Sequence, residues 1–355
     1  MRDRKKAYLV LADGTVYEGY SFGAECESIG ELVFTTGMCG YMETLTDPSY
    51  SGQIVMQTFP LIGNYGIMPE DAEGECFLRG YVVRERCDTP SNFRCSMTLD
   101  AFLKEKNIPG IYGIDTRSIT RRIREYGVVN ACITHSIPKD LDEIIAYRVP
   151  QDAALQASCK EITVTKPEVI RHKVVLIDYG AKANIARELV KRGCEVTCVP
   201  ADTPAEDILA MDPDGIMLSN GPGDPADNHY SIEQIAKLMG KKPMFGICLG
   251  HQMAALAAGG KTYKLKYGHR GANQPVTDLA GRRSYISTQN HGYAVDSPLP
   301  PGARMRYINA NDGTCEGIDY PDRKCFTVQF HPEACGGPKD TGFLFDRFIA
   351  MMEED

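Results

Sequence analysis

Two rhythms of apolar residues run along this chain. Up to about residue 150 they come in short alternating or apolar runs: Tyr8–Leu11, Val16–Tyr17, Leu32–Thr36 and Ile54–Thr58. Asp13-Gly14, Gly37 and Asp47-Pro48 separate them. Runs of this length between turn-forming residues predict strands. Leu99–Lys106 and Ser118–Glu125 carry helical spacing instead, with Thr116 placed to cap the second helix. The mixture predicts an α+β domain over residues 1–150. From 151 to 171 neither period holds and Pro167 interrupts the segment, which reads as an interdomain linker.

From 172 to 355 strand and helix signals alternate. Val174–Ile177, Val196–Val199, Gly215–Leu218 and Met244–Ile247 are short apolar strands. Ile185–Arg192, Ile208–Met211 and Ile232–Met239 have helical spacing between them. Strands apolar at nearly every position, alternating with helices, predict a mostly parallel sheet covered by helices on both faces. Ligands of such sheets bind beyond the carboxyl ends of the strands, and three turns there carry chemistry.

Pro243-Met-Phe-Gly-Ile-Cys-Leu-Gly-His-Gln252 runs from strand into helix with Cys248 at the junction and glycines two residues to either side. This is the thiol counterpart of the G-x-S-x-G elbow, where small flanks let the backbone turn sharply. A helix N-terminus favours thiolate over thiol, and the Leu249 N–H is aimed where an oxyanion would form. Without such help a free cysteine, with a pKa near ~8.5, is only a few per cent thiolate at neutral pH. A second apolar strand, Cys325–Phe330, ends in His331-Pro332-Glu333. That supplies a base and, two residues on, an acid able to fix its tautomer. Ser219-Asn-Gly-Pro-Gly-Asp-Pro225 follows the third strand, and Gly221 and Gly223 permit a backbone that brings N–H groups close to a ligand. Taken alone, each motif has a plainer reading: a buried thiol, a loop histidine, a tight turn. Their placement at one sheet edge makes a triad the better one. Of the other histidines, His251 packs within the first helical turn. His291 is a pocket residue without an adjacent acid. His135, His172, His229 and His269 lie outside any chemical constellation.

Composition narrows the setting. The 355 residues suffice for two domains, and the net charge of −8 argues against a nucleic-acid or anionic-membrane surface. Thirteen cysteines without any CxxC pair argue for reduced thiols and against zinc or dithiol chemistry. Met1-Arg-Asp-Arg-Lys-Lys6 resembles the charged start of a signal peptide, but the apolar run after it is too short and is broken by Asp13-Gly14. No stretch approaches the ~20 apolar residues of a membrane span. A soluble, cytoplasmic protein is expected.

Gly246-Ile-Cys-Leu-Gly-His-Gln252, Ser219-Asn-Gly-Pro-Gly-Asp-Pro225 and Phe330-His-Pro-Glu333 together resemble class I, triad-type glutamine amidotransferases. Thr35-Thr-Gly-Met-Cys-Gly-Tyr-Met-Glu43, Leu45-Thr-Asp-Pro-Ser-Tyr-Ser51, Ile62-Gly-Asn-Tyr-Gly66 and Gly113-Ile-Asp-Thr-Arg-Ser-Ile-Thr120 resemble the small subunit of carbamoyl-phosphate synthetase. The likeness covers nearly the whole chain. It implies an amino-terminal α+β domain (1–150, contacting the large subunit), a linker (151–171) and an amidotransferase domain (172–355). It also implies hydrolysis of glutamine by Cys248, His331 and Glu333. The ammonia would pass to a large subunit that makes carbamoyl phosphate from bicarbonate and ATP, for arginine and pyrimidine synthesis. The implied glutamine pocket is Ser49, Gly221, Gly223, Leu249, Gln252, Asn290, Gly292 and Tyr293, with Leu249 N–H and Gly221 holding the oxyanion. Ser49 would bring the site to the domain interface.

No cofactor or metal is expected on this chain. It has no G-x-x-x-x-G-K-[ST] loop, so ATP and Mg belong on the large subunit. Tyr293 stands where family members often carry Phe, which a backbone contact tolerates. Ala334-Cys335-Gly336-Gly337-Pro338 departs from the usual Ala-Ser-Pro-Gly-Pro, making Cys335 a candidate second reactive thiol. The glutaminase of another synthetase, such as one for guanylate or anthranilate, fits the first 150 residues poorly. A non-catalytic scaffold fits the intact Cys248, His331 and Glu333 poorly.

Overall fold

The computed structural model describes residues 5–354; the charged start at Met1–Arg4 lies outside them. Contacts divide the chain into two units, residues 1–150 and 151–355. The first unit holds strands β1 (Lys6–Leu11), β2 (Val16–Gly23), β3 (Ser28–Thr35), β4 (Gln53–Gln57), β5 (Leu61–Ile62), β6 (Gly80–Val83), β7 (Glu85–Arg86), β8 (Pro109–Tyr112) and β9 (Val129–Thr134). Its helices are α1 (Tyr41–Leu45), α2 (Leu99–Glu105), α3 (Thr116–Tyr126) and α4 (Asp142–Ala146).

Seven of these strands close into a barrel in the order β1-β2-β8-β6-β4-β3-β9, with β9 returning to pair with β1. Closure removes the unpaired edges that an open sheet would offer. The expectation of several strands with a few helices is met; the barrel was not foreseen, because its parallel β3–β4, β4–β6 and β6–β8 pairs join distant segments. Phe22, Val33, Val55, Tyr81 and Val83 form one buried core with Leu99, Phe102 and Leu103 of α2. The α3 cap differs from expectation by one residue. Asp115 accepts from Ser118 N at 3.0 Å, and Thr116 is already helical. An Asp carboxylate at this position also opposes the positive end of the helix dipole.

The second unit holds strands β10 (Thr163–Thr165), β11 (His172–Asp178), β12 (Cys194–Pro200), β13 (Gly215–Leu218), β14 (Met244–Ile247), β15 (Thr262–Asp278), β16 (Arg283–Val295), β17 (Arg304–Asn309), β18 (Cys315–Tyr320) and β19 (Cys325–Val328). Its helices are α5 (Ala153–Ala157), α6 (Ala183–Lys191), α7 (Ala205–Ala210), α8 (His229–Leu238), α9 (Leu249–Ala257) and α10 (Phe343–Glu353). The segment read as a linker is structured. It contains α5 and edge strand β10, which pairs antiparallel with β12; a three-residue strand carries too short a pattern to stand out in sequence.

The ten-stranded sheet runs β10-β12-β11-β13-β14-β19-β18-β16-β15-β17. The run from β12 through β19 is parallel, as expected. The other half is antiparallel and built on the long β15–β16 hairpin. In the parallel half, successive side chains point to opposite faces and both faces are dry, which is why these strands are apolar throughout. Val175, Ile177, Ile216 and Leu218 pack on the face covered by α8 and α9. Val174, Leu176, Met217, Phe245 and Ile247 pack on the other, against Ile185 and Leu189 of α6 and Phe345 and Phe348 of α10. Phe245 stacks on Phe326 with ring centroids 4.4 Å apart, tying β14 to β19. These two strands end in the nucleophile turn and the histidine turn, so their packing sets the distance between the reacting groups.

Candidate active site

The nucleophile turn is strained in the way its glycines anticipate. Cys248, between β14 and α9, sits at φ 53° and ψ −102°, a region that L-residues with a side chain rarely occupy. A Cβ on Gly246 would lie 3.1 Å from the Gly250 carbonyl oxygen. One on Gly250 would lie 2.7 Å from the Leu218 oxygen. The strained turn is pinned on both sides: Cys248 N donates to Val328 O at 2.9 Å, and Gly250 N to Ser219 O at 3.0 Å. The sulfur is buried and lies 3.6 Å from Asn290 O of β16.

His331 and Glu333 follow β19, which pairs in parallel with β14, the strand that leads into Cys248. The imidazole Nδ1 and Glu333 Oε1 are 2.6 Å apart, and both side chains are fully buried. Glu333 accepts, so Nδ1 donates to it and Nε2 is the nitrogen turned away from the acid. Nε2 has no hydrogen-bond partner of its own. Burial and the nearby Lys182 ammonium pull the His331 pKa down; Glu333 and the Cys248 side chain outweigh them and raise it to about 9. Burial opposes ionisation of Glu333, but His331 and Lys182 hold its carboxyl below the usual range. The backbone is held as firmly, with His331 N donating to Thr288 O at 2.9 Å and the Asn184 amide donating to Glu333 O.

Three residues of this environment were not anticipated. Lys182 Nζ stands 3.9 Å from Glu333 Oε1. Its backbone N–H donates to Asn220 Oδ1 at 3.0 Å, while Asn220 Nδ2 donates to Gly180 O at 3.0 Å. Lys182, Asn184 and Asn220 therefore couple the turn after β11 to the turn after β13 and to the triad acid. The only sequence signal was position, because all three lie just beyond carboxyl ends of parallel strands.

Of the expected pocket residues of the second unit, Leu249 follows Cys248 directly and Asn290 approaches its sulfur through the carbonyl oxygen. Gly221 has no room for a side chain: its Cβ would meet Tyr179 O at 2.2 Å and Leu249 Cδ2 at 2.8 Å, which places its backbone against the first residue of α9. Gly223 has φ 91°. Gln252, one turn into α9, donates to Tyr293 O at 2.7 Å and to Gln329 Oε1 at 2.9 Å. Asn290, Gly292 and Tyr293 lie on β16 beside the sulfur's neighbour Asn290 O. Ser49 belongs to the first unit, where Asp47 Oδ1 accepts from its N–H at 2.9 Å in a short 3-10 turn. Cys335 is exposed.

One expectation about histidines is corrected. His269 does not lie outside a constellation. Its Nε2 is 2.8 Å from Asp312 Oδ2, its Nδ1 is 3.4 Å from Glu316 Oε1, and its ring meets His291 edge-on at 4.9 Å. Gln289 links the two, with Nε2 donating to Glu316 Oε2 at 3.0 Å and Oε1 lying 3.1 Å from His291 Nε2. Strands β15, β16, β17 and β18 contribute to this network, and two of its members, Gln289 and His291, alternate with Asn290 and Gly292 along β16. The contacting residues are up to 47 positions apart, so no local pattern reveals them. His251 is buried as expected, with Nδ1 2.7 Å from Thr327 Oγ1.

Two family profiles match the chain: "Glutamine amidotransferase class-I" over residues 175–351, and "Carbamoyl-phosphate synthase small chain, CPSase domain" over residues 9–133. Proteins named carbamoyl phosphate synthase small chain are similar to it along nearly their whole length. That of Fusobacterium nucleatum is 52% identical, over 98% of this chain and 98% of its own. That of Syntrophotalea carbinolica is 49% identical, over 99% and 98%. That of Staphylococcus haemolyticus is 50% identical, over 99% and 97%.

Proposed function

Because this chain belongs to the family of carbamoyl phosphate synthase small chains, we propose that Cys248, His331 and Glu333 carry out its glutamine hydrolysis. The observation that carries this reading is the 2.6 Å hydrogen bond from His331 Nδ1 to Glu333, which leaves Nε2 to exchange a proton with the Cys248 side chain. In the proposed cycle His331 takes the Cys248 proton and the sulfur attacks the side-chain carbonyl carbon of glutamine. The carbonyl electrons move onto oxygen, where the N–H of Leu249 and the Gly221 backbone receive them; one such donor is worth about 10²–10³ in rate. Collapse expels ammonia, which takes its proton from His331, and leaves a thioester on sulfur. His331 then deprotonates water, which attacks the thioester. Glutamate leaves and the thiol regains its proton.

Glu333 has two tasks. It holds the imidazole in the tautomer that presents Nε2 to sulfur, and it stabilises the imidazolium formed in each half of the cycle. Gln252, Asn290, Gly292, Tyr293 and Gly223 shape the glutamine pocket, and Ser49 keeps its proposed place there on the resemblance alone. The ammonia is passed to a large subunit, which holds ATP and Mg and makes carbamoyl phosphate from bicarbonate. We place the protein in the cytoplasm; among the described residues no helix is long and apolar enough to cross a membrane.

Cys248→Ser tests the division of labour. Glutamine-dependent synthesis by the complex should fall by about 10³ or more, since losing a nucleophile removes nearly all covalent catalysis. Synthesis from added ammonium salts should persist at the wild-type rate. A mutant complex that added ammonia does not rescue would contradict the reading.

A further inference from the structure

Away from the triad, the second unit brings together two thiols and a carboxylate that the glutaminase reaction does not use. Cys159 follows α5, Cys198 is on β12, and Asp178 ends β11. The two sulfurs are 4.0 Å apart, and ligand atoms of all three residues lie within 4.8 Å of one another. Two thiolates on one tetrahedral zinc, at Zn–S about 2.3 Å, sit about 3.8 Å apart. Sulfurs in a disulfide are at about 2.05 Å. The observed spacing matches the first arrangement.

The surrounding backbone holds all three residues in place. Cys198 is locked between β11 and β10, opposite Leu176 on one side and Thr163 on the other. Cys159 is fixed from both sides: its N–H donates to Asp178 Oδ2 at 2.8 Å, and the preceding Ser158 Oγ accepts from Ala201 N at 2.9 Å. The other Asp178 oxygen accepts from Gly180 N at 2.8 Å and Ala181 N at 2.6 Å. Such second contacts orient the carboxylate of a metal site and leave it a lone pair for the ion. Cys159 and Cys198 are only partly buried, so an ion has a way in.

We propose that Cys159, Cys198 and Asp178 form a binding site for a thiophilic divalent cation of the zinc type. On binding, two S–metal bonds form and the two thiol protons pass to solvent; no electron transfer is involved. The ion clamps the turn Asp178–Lys182, whose last residue stands beside Glu333, and so stiffens one wall of the active site.

Cadmium is the probe, titrated into the reduced full-length chain carrying Cys248→Ser so that the elbow sulfur does not contribute. The expected result is one ion per chain, a sulfur-to-metal charge-transfer absorption, and a higher melting temperature. Adding Cys198→Ser should weaken binding at least about 100-fold and abolish the band and the thermal shift. Cys159→Ser, in a loop whose folding is checked by circular dichroism, should do the same. Cys39→Ser, at an exposed thiol of the first unit, should change nothing. The proposal is overturned by no uptake, by uptake that survives both Cys159→Ser and Cys198→Ser, or by a Cys159–Cys198 disulfide whose reduction yields thiols that take up no cadmium.

Discussion

Among the described residues the second unit holds two buried histidines paired with carboxylates, and they differ in how their ring nitrogens are used. At His331 a single carboxylate oxygen takes Nδ1 at 2.6 Å and Nε2 is left open toward a sulfur. At His269 both ring nitrogens face acids, Nε2 at 2.8 Å from Asp312 and Nδ1 at 3.4 Å from Glu316. Carboxylates raise the pKa of both rings against burial. The pair by itself, or its raised basicity, therefore does not mark a catalytic site. An unspent nitrogen facing a nucleophile does. The His269 network is better understood as a brace for Gln289 and His291, and through them for Asn290 and Gly292, whose place in the pocket is proposed.

The contrast is broken most sharply by neutralising each acid in turn. Glu333→Gln keeps the shape but no longer enforces the productive tautomer. Glutamine-dependent kcat should fall about 10²–10⁴-fold, with KM little changed and ammonia-dependent synthesis intact. Glu316→Gln should act through binding, raising KM for glutamine about tenfold with a smaller change in kcat. It should also destabilise the unit by about 1–3 kcal/mol, because it unsettles a buried polar network. Steady-state kinetics and denaturant titration of the two variants check both. Equal kcat losses in the two would mean that the proposed separation of roles is wrong.

A smaller effect concerns pH. Burial drives the His251 pKa down from 6.5 to about 3 and holds His291 well below its usual value. Below pH 6.5 the unfolded chain takes up protons on these residues that the folded chain does not. Stability attributable to them is therefore full above pH 6.5 and declines as pH falls toward 3. His251→Asn should flatten that decline relative to wild type in denaturation curves between pH 7 and 4.5. An unchanged slope would mean that His251 is already protonated in the fold.

The parts legible in sequence share a physical reason. Val174–Ile177, Gly215–Leu218 and Met244–Ile247 are apolar at nearly every position because both faces of the parallel half are dry. Cys248 with Gly246 and Gly250 showed a sharp turn between small residues, and the close approaches at both glycines and the Cys248 φ of 53° bear this out. The β15–β16 hairpin was not legible. Its buried residues include the polar His269, Arg270, Gln289, Asn290 and His291, so the usual contrast of apolar and polar faces is missing. Barrel closure in the first unit depends on pairing distant segments, and no short window records it. Lys182 was missed for the same reason, since its partner Glu333 is 151 residues away.

The central claim is that the Cys248 sulfur depends on His331, braced by Glu333, and not on the other histidines nearby. The most direct test is the rate at which a glutamine-like chloroketone labels the chain, with the modified peptide identified by mass spectrometry. The expected result is label on Cys248 in wild type and in His269→Asn, with His331→Asn slowed about 10²-fold. Label on Cys335 instead, or a His331→Asn rate equal to wild type, would contradict the account.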